Sequence, residues 1–157
     1  MALQYRSTEI YLKPDVRYRS TLVSKFINCL MHKGKKSVAE AVFYQAADLL
    51  KERFPDKEPL EILEAAINNV KPLVEVRSKR VGGATYQVPI EVSRKRQLSL
   101  AIRWMLNAVR SKKGKATYLN LADEITNAYK KQGAAVTQRE NTHKMAEANK
   151  AFAHFAW

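Results

Sequence analysis

From Leu22 onward, apolar side chains return every three or four positions: Leu22, Val23, Phe26, Ile27, Leu30 and Met31. That spacing gathers them on one face of an α-helix, with Ser20 placed to cap it and Gly34 to stop it, so a first helix is expected over about residues 21 to 33. Ser37 with Glu40 has the spacing of a capping box, and Val38, Val42, Leu49 and Leu50 continue a second helical face that Pro55 closes. Pro59 suits a first helical position and opens a third helix through Leu63, Ile67 and Val70, up to Pro72. Ser93 is the expected cap of a long fourth helix carrying Leu98, Ala101, Ile102, Met105 and Val109 inward. A fifth follows Thr117, with Leu121, Ala122, Ile125 and Tyr129, and is expected to end at Gly133. Thr137 with Glu140 forms a second expected capping box, opening a sixth helix whose core face holds Met145, Ala148, Phe152 and Phe155.

Between the third and fourth helices the period changes from helical to that of strands. LVEVRSKRVGGATYQVPIEV, residues 73 to 92, reads as two β-rich runs around Gly82 and Gly83. A loop of those two glycines alone would set Arg77 opposite Val88 and Glu75 opposite Ile90, mixing charged and apolar groups on one face. A three-residue loop or bulge centred on Gly83 segregates the faces instead, pairing Val74 with Val92, Val76 with Ile90, Ser78 with Val88 and Arg80 with Tyr86. That register is the expected one. It makes the base of the hairpin apolar and sends Lys79, Arg80, Thr85, Tyr86 and Gln87 outward. Residues 1 to 19 show no sustained period; Tyr5, Tyr11 and Tyr18 alternate there with basic residues. The expected fold class is therefore mainly α: a bundle of six helices with one protruding β-hairpin at about residues 73–92 and an extended basic N-terminal arm. Its 157 residues are expected to form one domain: an arm (1–19), three helices (20–72), the hairpin and three more helices (93–157).

Charge changes this picture from a generic helical domain to a polyanion binder. The chain holds 28 basic against 15 acidic residues, a formal charge of +13. Such a field attracts nucleic acid or an anionic membrane surface. The excess is uneven: residues 1–36 carry 8 basic and 2 acidic side chains and residues 73–118 carry 11 and 2, whereas residues 37–72 carry 4 and 7. A polyanion should meet the first and third of these segments and avoid the second. No apolar run approaches membrane-spanning length and the N-terminus lacks the apolar region of a secretory signal. The basic charge sits at junctions rather than along one amphipathic helix, which argues against a membrane-surface role. Cys29, the single cysteine, is expected as a buried thiol among Phe26, Ile27, Leu30 and Met31.

No catalytic set stands out. His32, His143 and His154 lack metal-ligand spacing, one cysteine cannot build a CxxC site, and phosphate-cradling glycine motifs are absent. Glu61 and Glu64 read as a solvated helix face. No cofactor and no enzyme activity is expected. Lys33, Lys35 and Lys36 instead flank Gly34 where two helices meet. Arg94, Lys95 and Arg96 occupy the first turn of the fourth helix, where cations oppose the helix dipole and an anion would resolve the conflict. The loop RSKKGK contributes Arg110, Lys112, Lys113 and Lys115, and the hairpin contributes Arg77, Lys79 and Arg80. With no zinc spacing, RRM signature or recognition helix, these clusters suggest several surfaces gripping a folded RNA through phosphate and shape. A dimeric DNA-binding regulator is the alternative, separated by preference for duplex DNA over folded rRNA.

Four ordered segments then bear on identity: FINCLMHKGKKSVAEAVFYQA (Phe26 to Ala46), EVRSKRVGGATYQVPIEV (Glu75 to Val92), AIRWML (Ala101 to Leu106) and HKMAEANKAFAHF (His143 to Phe155). In this order the chain resembles the bacterial-type family of small-subunit ribosomal protein seven, collinearly except in the first dozen residues and Asp48 to Glu58. The resemblance implies six helices with a protruding hairpin, and a structural protein that binds the 3′ major domain of small-subunit rRNA and nucleates head assembly. It implies rRNA contacts at Lys13, Arg17 and Arg19 of the arm, at the Gly34, hairpin, Arg94–Arg96 and Arg110–Lys115 clusters, and at Arg103 and Lys144. It implies that Arg80, Gly82, Gly83, Thr85 and Tyr86 lie near exit-site tRNA and mRNA. Expected partners are rRNA, that tRNA and mRNA, and neighbouring ribosomal proteins of head and platform, with no membrane. The expected place is the small ribosomal subunit in the cytoplasm, or an organelle. A C-terminal tail found in some relatives is expected to be absent beyond Trp157.

Overall fold

The computed structural model describes residues 8–156. A 3-10 turn at Thr8–Tyr11 leads to α1 (Thr21–Leu30), α2 (Lys36–Arg53) and α3 (Pro59–Val70). The strands β1 (Val74–Val81) and β2 (Ala84–Glu91) follow, then α4 (Arg94–Ser111), α5 (Thr117–Tyr129), α6 (Ala134–Ala148) and a C-terminal 3-10 segment, Lys150–Phe155. The mainly helical architecture with one antiparallel hairpin is the expected one. The outer part of the arm, with Tyr5, lies outside the described residues.

Phe26 and Ile27 of α1, Phe43 and Leu50 of α2, Ile62 and Ile67 of α3, Ile102 and Met105 of α4, and Leu121 and Ile125 of α5 meet in one apolar cluster. Each such side chain contributes roughly 1.5–3 kcal/mol on leaving water. α5 packs against α2, α3, α4 and α6 and so organises the bundle. The second helical face is rotated from the expected one: Ala39, Phe43, Ala46, Ala47 and Leu50 point inward while Val38 is exposed. Small alanines allow close helix approach, and a period read from large residues alone overlooks them. Cys29 is likewise exposed, because the buried stripe of α1 runs Val23, Phe26, Ile27, Leu30 and leaves position 29 on the outer flank.

Both expected capping boxes are absent. Ser37 lies inside α2, which starts at Lys36, and Thr137 lies inside α6, where its hydroxyl donates to the Gly133 carbonyl at 3.1 Å. Gly133 does not end α5, which stops at Tyr129; it precedes α6 in the left-handed region at φ +93°. One first-turn amide of α6 finds its partner on α5: Ala135 N–H donates to Glu124 Oε1 at 3.1 Å. A Cβ on Gly133 would come within 3.2 Å of that same oxygen, so glycine is required by contact as well as by φ. Met145 and Ala148 are exposed rather than in the core, since the chain leaves α-helical geometry at Asn149 and only Ala135, Val136 and Ala146 of α6 are buried.

The hairpin register also differs from the expectation. Glu75 faces Ile90, Arg77 faces Val88 and Lys79 faces Tyr86, with Gly82 and Gly83 alone making the loop. Both glycines have positive φ, +56° and +87°, the combination that twists a two-residue turn to match its strands. The mixed face is tolerated because its charges are mutually satisfied. Glu75, 8 % exposed, accepts from Arg77 Nε at 2.8 Å and from Arg96 Nη2 at 3.2 Å, beside fully buried Val88. The C-terminal 3-10 segment backs this face further out: Tyr86 packs on Phe152 and Phe155, and Lys79 Nζ donates to the Phe155 carbonyl at 2.8 Å. His143 of α6 holds the hairpin's entry, accepting the Leu73 N–H at Nε2 (3.1 Å).

Candidate nucleic-acid interface

The α1–α2 junction is a left-handed turn. Lys33 has φ +52° and Gly34 +75°, and every residue from His32 to Lys36 is exposed. Lys36 reaches Glu40 one turn along α2 at 3.8 Å, a weak surface pair. Folding brings this turn beside the end of α4. Arg110 Nη2 donates to the carbonyls of Cys29 and Leu30 at 3.2 and 3.3 Å, satisfying the open C-terminus of α1 with a cation. Between them lies a groove of about 570 Å³ lined by His32, Lys33, Lys35 and Arg110 and, beneath, by Leu30, Val38, Ala39, Val42 and Thr117. Every charged residue in its lining is a cation.

The α4–α5 loop continues this surface. Lys113 and Lys115 line a second groove, of about 380 Å³, with Lys112, Arg53, Asn120 and Asp123. Two of those cations are already matched: Arg53 pairs with Asp123 at 2.7 Å, and Lys112 donates to Glu124 Oε2 at 2.8 Å. Glu124 is fully buried. It therefore ties the loop, α5 and the start of α6 together through one carboxylate. Sequence reasoning assigned it no role, although its place in LNLADEI, three positions after Leu121 on an apolar face, is where a buried charge would show.

Around the hairpin the cations divide. Arg77 and Arg96 share Glu75, whereas Arg80 and Arg94 stand exposed at the strand end and the first turn of α4. Ser93 precedes α4 as expected yet makes no side-chain cap bond. Tyr86 is half-buried under the C-terminal segment, so the exposed part of the hairpin tip is Gly82, Gly83, Ala84 and Thr85. Arg103 and Lys144 are exposed on α4 and α6.

In the arm, Asp15 is buried and accepts from the backbone N–H groups of Arg17 and Tyr18, both at 3.0 Å, and from the Tyr44 hydroxyl at 2.7 Å. Desolvation, and then the bond to the Asp15 carboxylate, push the Tyr44 phenol up to about 12. Arg17 pairs with Asp48 and lies over the Tyr18 and Tyr44 rings, 5.4 and 5.5 Å from their centroids. Tyr18 is thus a packing residue, while Tyr11 is 75 % exposed beside exposed Lys13. Arg19 is exposed with φ +50°. Among the described residues no three His, Cys, Asp or Glu side chains converge as a metal site, and no helix is long and apolar enough to cross a membrane.

The family model for ribosomal protein S7p/S5e matches residues 3–150. The chain belongs to this ribosomal protein family. Among its curated relatives, the small ribosomal subunit protein uS7 of Rhodopirellula baltica is 59% identical over 152 residues, 96% of this chain and 97% of the relative. The protein of the same name from Desulfotalea psychrophila is 53% identical over 144 residues, 92% of each chain. That of Thermotoga neapolitana is 51% identical over 152 residues, 97% of each. The residues that build the two basic grooves and the hairpin all lie within the matched range.

Proposed function

We propose that this chain is a structural component of the small subunit of the cytoplasmic ribosome, and that it binds the 3′ major domain of small-subunit rRNA and nucleates assembly of the head. The observation that carries the reading is the convergence of the α1–α2 turn and the end of α4 on a groove whose only charges are cations. Family membership and the names of its relatives support the ribosomal setting. Within the expected set, the exposed cations Lys33, Lys35, Arg80, Arg94, Lys113 and Lys115 are the strongest phosphate ligands. Arg17, Arg77, Arg96, Lys112 and Arg110 spend at least part of their donor capacity holding the fold. The exposed two-glycine tip is narrow, which suits approach to exit-site tRNA and mRNA. Neighbouring proteins of head and platform complete the set of partners.

Binding of a 3′ major domain rRNA fragment across a salt series tests this, with duplex DNA as competitor and chemical footprinting on the whole small-subunit rRNA. Strong preference for the rRNA, a steep loss of affinity with salt and protection confined to the head are expected. Equal affinity for duplex DNA, or protection elsewhere in the rRNA, overturns the reading.

A further inference from the structure

The groove between the α1–α2 turn and the end of α4 is more apolar than phosphate binding requires. Val38 is 56 % exposed at its edge, and Leu30, Ala39 and Val42 extend the same apolar floor. Phosphate contacts need cations and amides, and an apolar floor beneath them gains nothing from a phosphate. A nucleobase has an apolar face and carries an anionic linkage a few ångströms away, so a floor of this kind under a cationic rim matches an unstacked nucleotide. We infer that this groove receives one unstacked nucleotide of the bound RNA, its base on Leu30, Val38 and Val42 and its phosphate at Lys33 and Lys35.

Three features favour that occupant. The volume, about 570 Å³, lies in the range of small-molecule sites and exceeds what a lone phosphate fills. The rim is single-signed, with no carboxylate to repel a phosphate. The far wall is fixed in advance, because Arg110 is bonded to the Cys29 and Leu30 carbonyls, so little ordering accompanies binding.

The inference rests on the rRNA-binding reading, and the experiment separates the two. Wild type, Val38→Ser and the double variant Lys33→Gln/Lys35→Gln are titrated against a 3′ major domain rRNA fragment across a salt series, with base-specific chemical probing of each complex. Val38 is exposed, so Val38→Ser leaves the core intact, which a thermal melt checks. The expected result is affinity about five- to tenfold lower for Val38→Ser at every salt concentration, a salt slope unchanged, and one base reactive that wild type protects. Lys33→Gln/Lys35→Gln lowers the slope, by roughly 0.7 for each single-strand phosphate no longer neutralised. Wild-type binding together with a Val38→Ser affinity within twofold and an identical probing pattern overturns the nucleotide site alone. A Val38→Ser defect seen only when neighbouring ribosomal proteins are added also overturns it, in favour of a protein occupant. Failure of wild type to bind the fragment overturns both.

Discussion

Glu124→Gln is nearly isosteric and removes one negative charge from the centre of the bundle. In the native fold that carboxylate accepts from Ala135 N–H at 3.1 Å and from Lys112 Nζ at 2.8 Å, and it has no access to water. Glutamine keeps one oxygen for Ala135 and turns an NH₂ toward the ammonium, donor against donor. Lys112, whose side chain is 38% exposed, swings into solvent and regains hydration, leaving the buried amide unpaired. Losing a charge-assisted bond costs roughly 1.5–3 kcal/mol, and an unsatisfied buried donor about 1–3 kcal/mol. After crediting the rehydrated lysine, a net loss of about 2–4 kcal/mol is expected, or a melting point lower by roughly 5–15 °C for a domain of this size. Urea unfolding followed by far-UV circular dichroism reads it, with Lys112→Met and the double variant closing a thermodynamic cycle. A coupling of about 1–2 kcal/mol is expected between the two sites. A Glu124→Gln loss below about 0.5 kcal/mol, or strict additivity in the cycle, would refute the claim that this pair ties the basic loop to α6.

Gly82→Ala and Gly83→Ala each place a Cβ at positive φ with open space around it, so each should cost about 1–2 kcal/mol of backbone strain alone, with Gly82→Asn milder; equal melting points for all three variants would contradict the two-residue turn. Burial holds the His143 imidazole below its ordinary value, helped by Arg139, so its contribution to stability is complete above pH 6.5 and is lost as pH falls below that. His143→Gln retains an acceptor for Leu73 and should flatten the fall in stability as pH drops below 6.5. The Tyr44 phenol is raised in the fold, so its contribution is complete below its ordinary value of 10 and disappears as pH climbs toward 12; Tyr44→Phe should remove that alkaline decline in denaturant titrations.

Much of the candidate interface was legible because cations cluster in sequence before they cluster in space. HKGKK and RSKKGK announce themselves as charge runs beside glycines, and their exposure follows from the cost of burying a lysine. What the runs did not disclose is which charges remain available. Arg77 and Arg96 stand far apart in sequence yet share Glu75, and Lys112 in the middle of a basic loop reaches inward to Glu124. The hairpin register was misread for the same reason. Segregating apolar from charged residues is sound when each charge needs water, but a carboxylate satisfied by two guanidiniums can occupy the covered face.

The periodic placement of large apolar residues, the prolines that bracket α3 and the two glycines of the turn determine six helices and a hairpin without reference to anything else in the chain. These are local effects, set by the pitch of a helix, the missing amide of proline and the freedom of glycine at positive φ. Tertiary structure decided the matters that depend on partners distant in sequence: that α6 starts at Ala134 under a carboxylate from α5, that Tyr86 lies beneath the C-terminal segment, and that the α1–α2 turn and Arg110 enclose one groove. A hydrogen bond or ion pair across the fold is worth as much as a local cap. Nothing in the sequence around either partner records that the other will arrive.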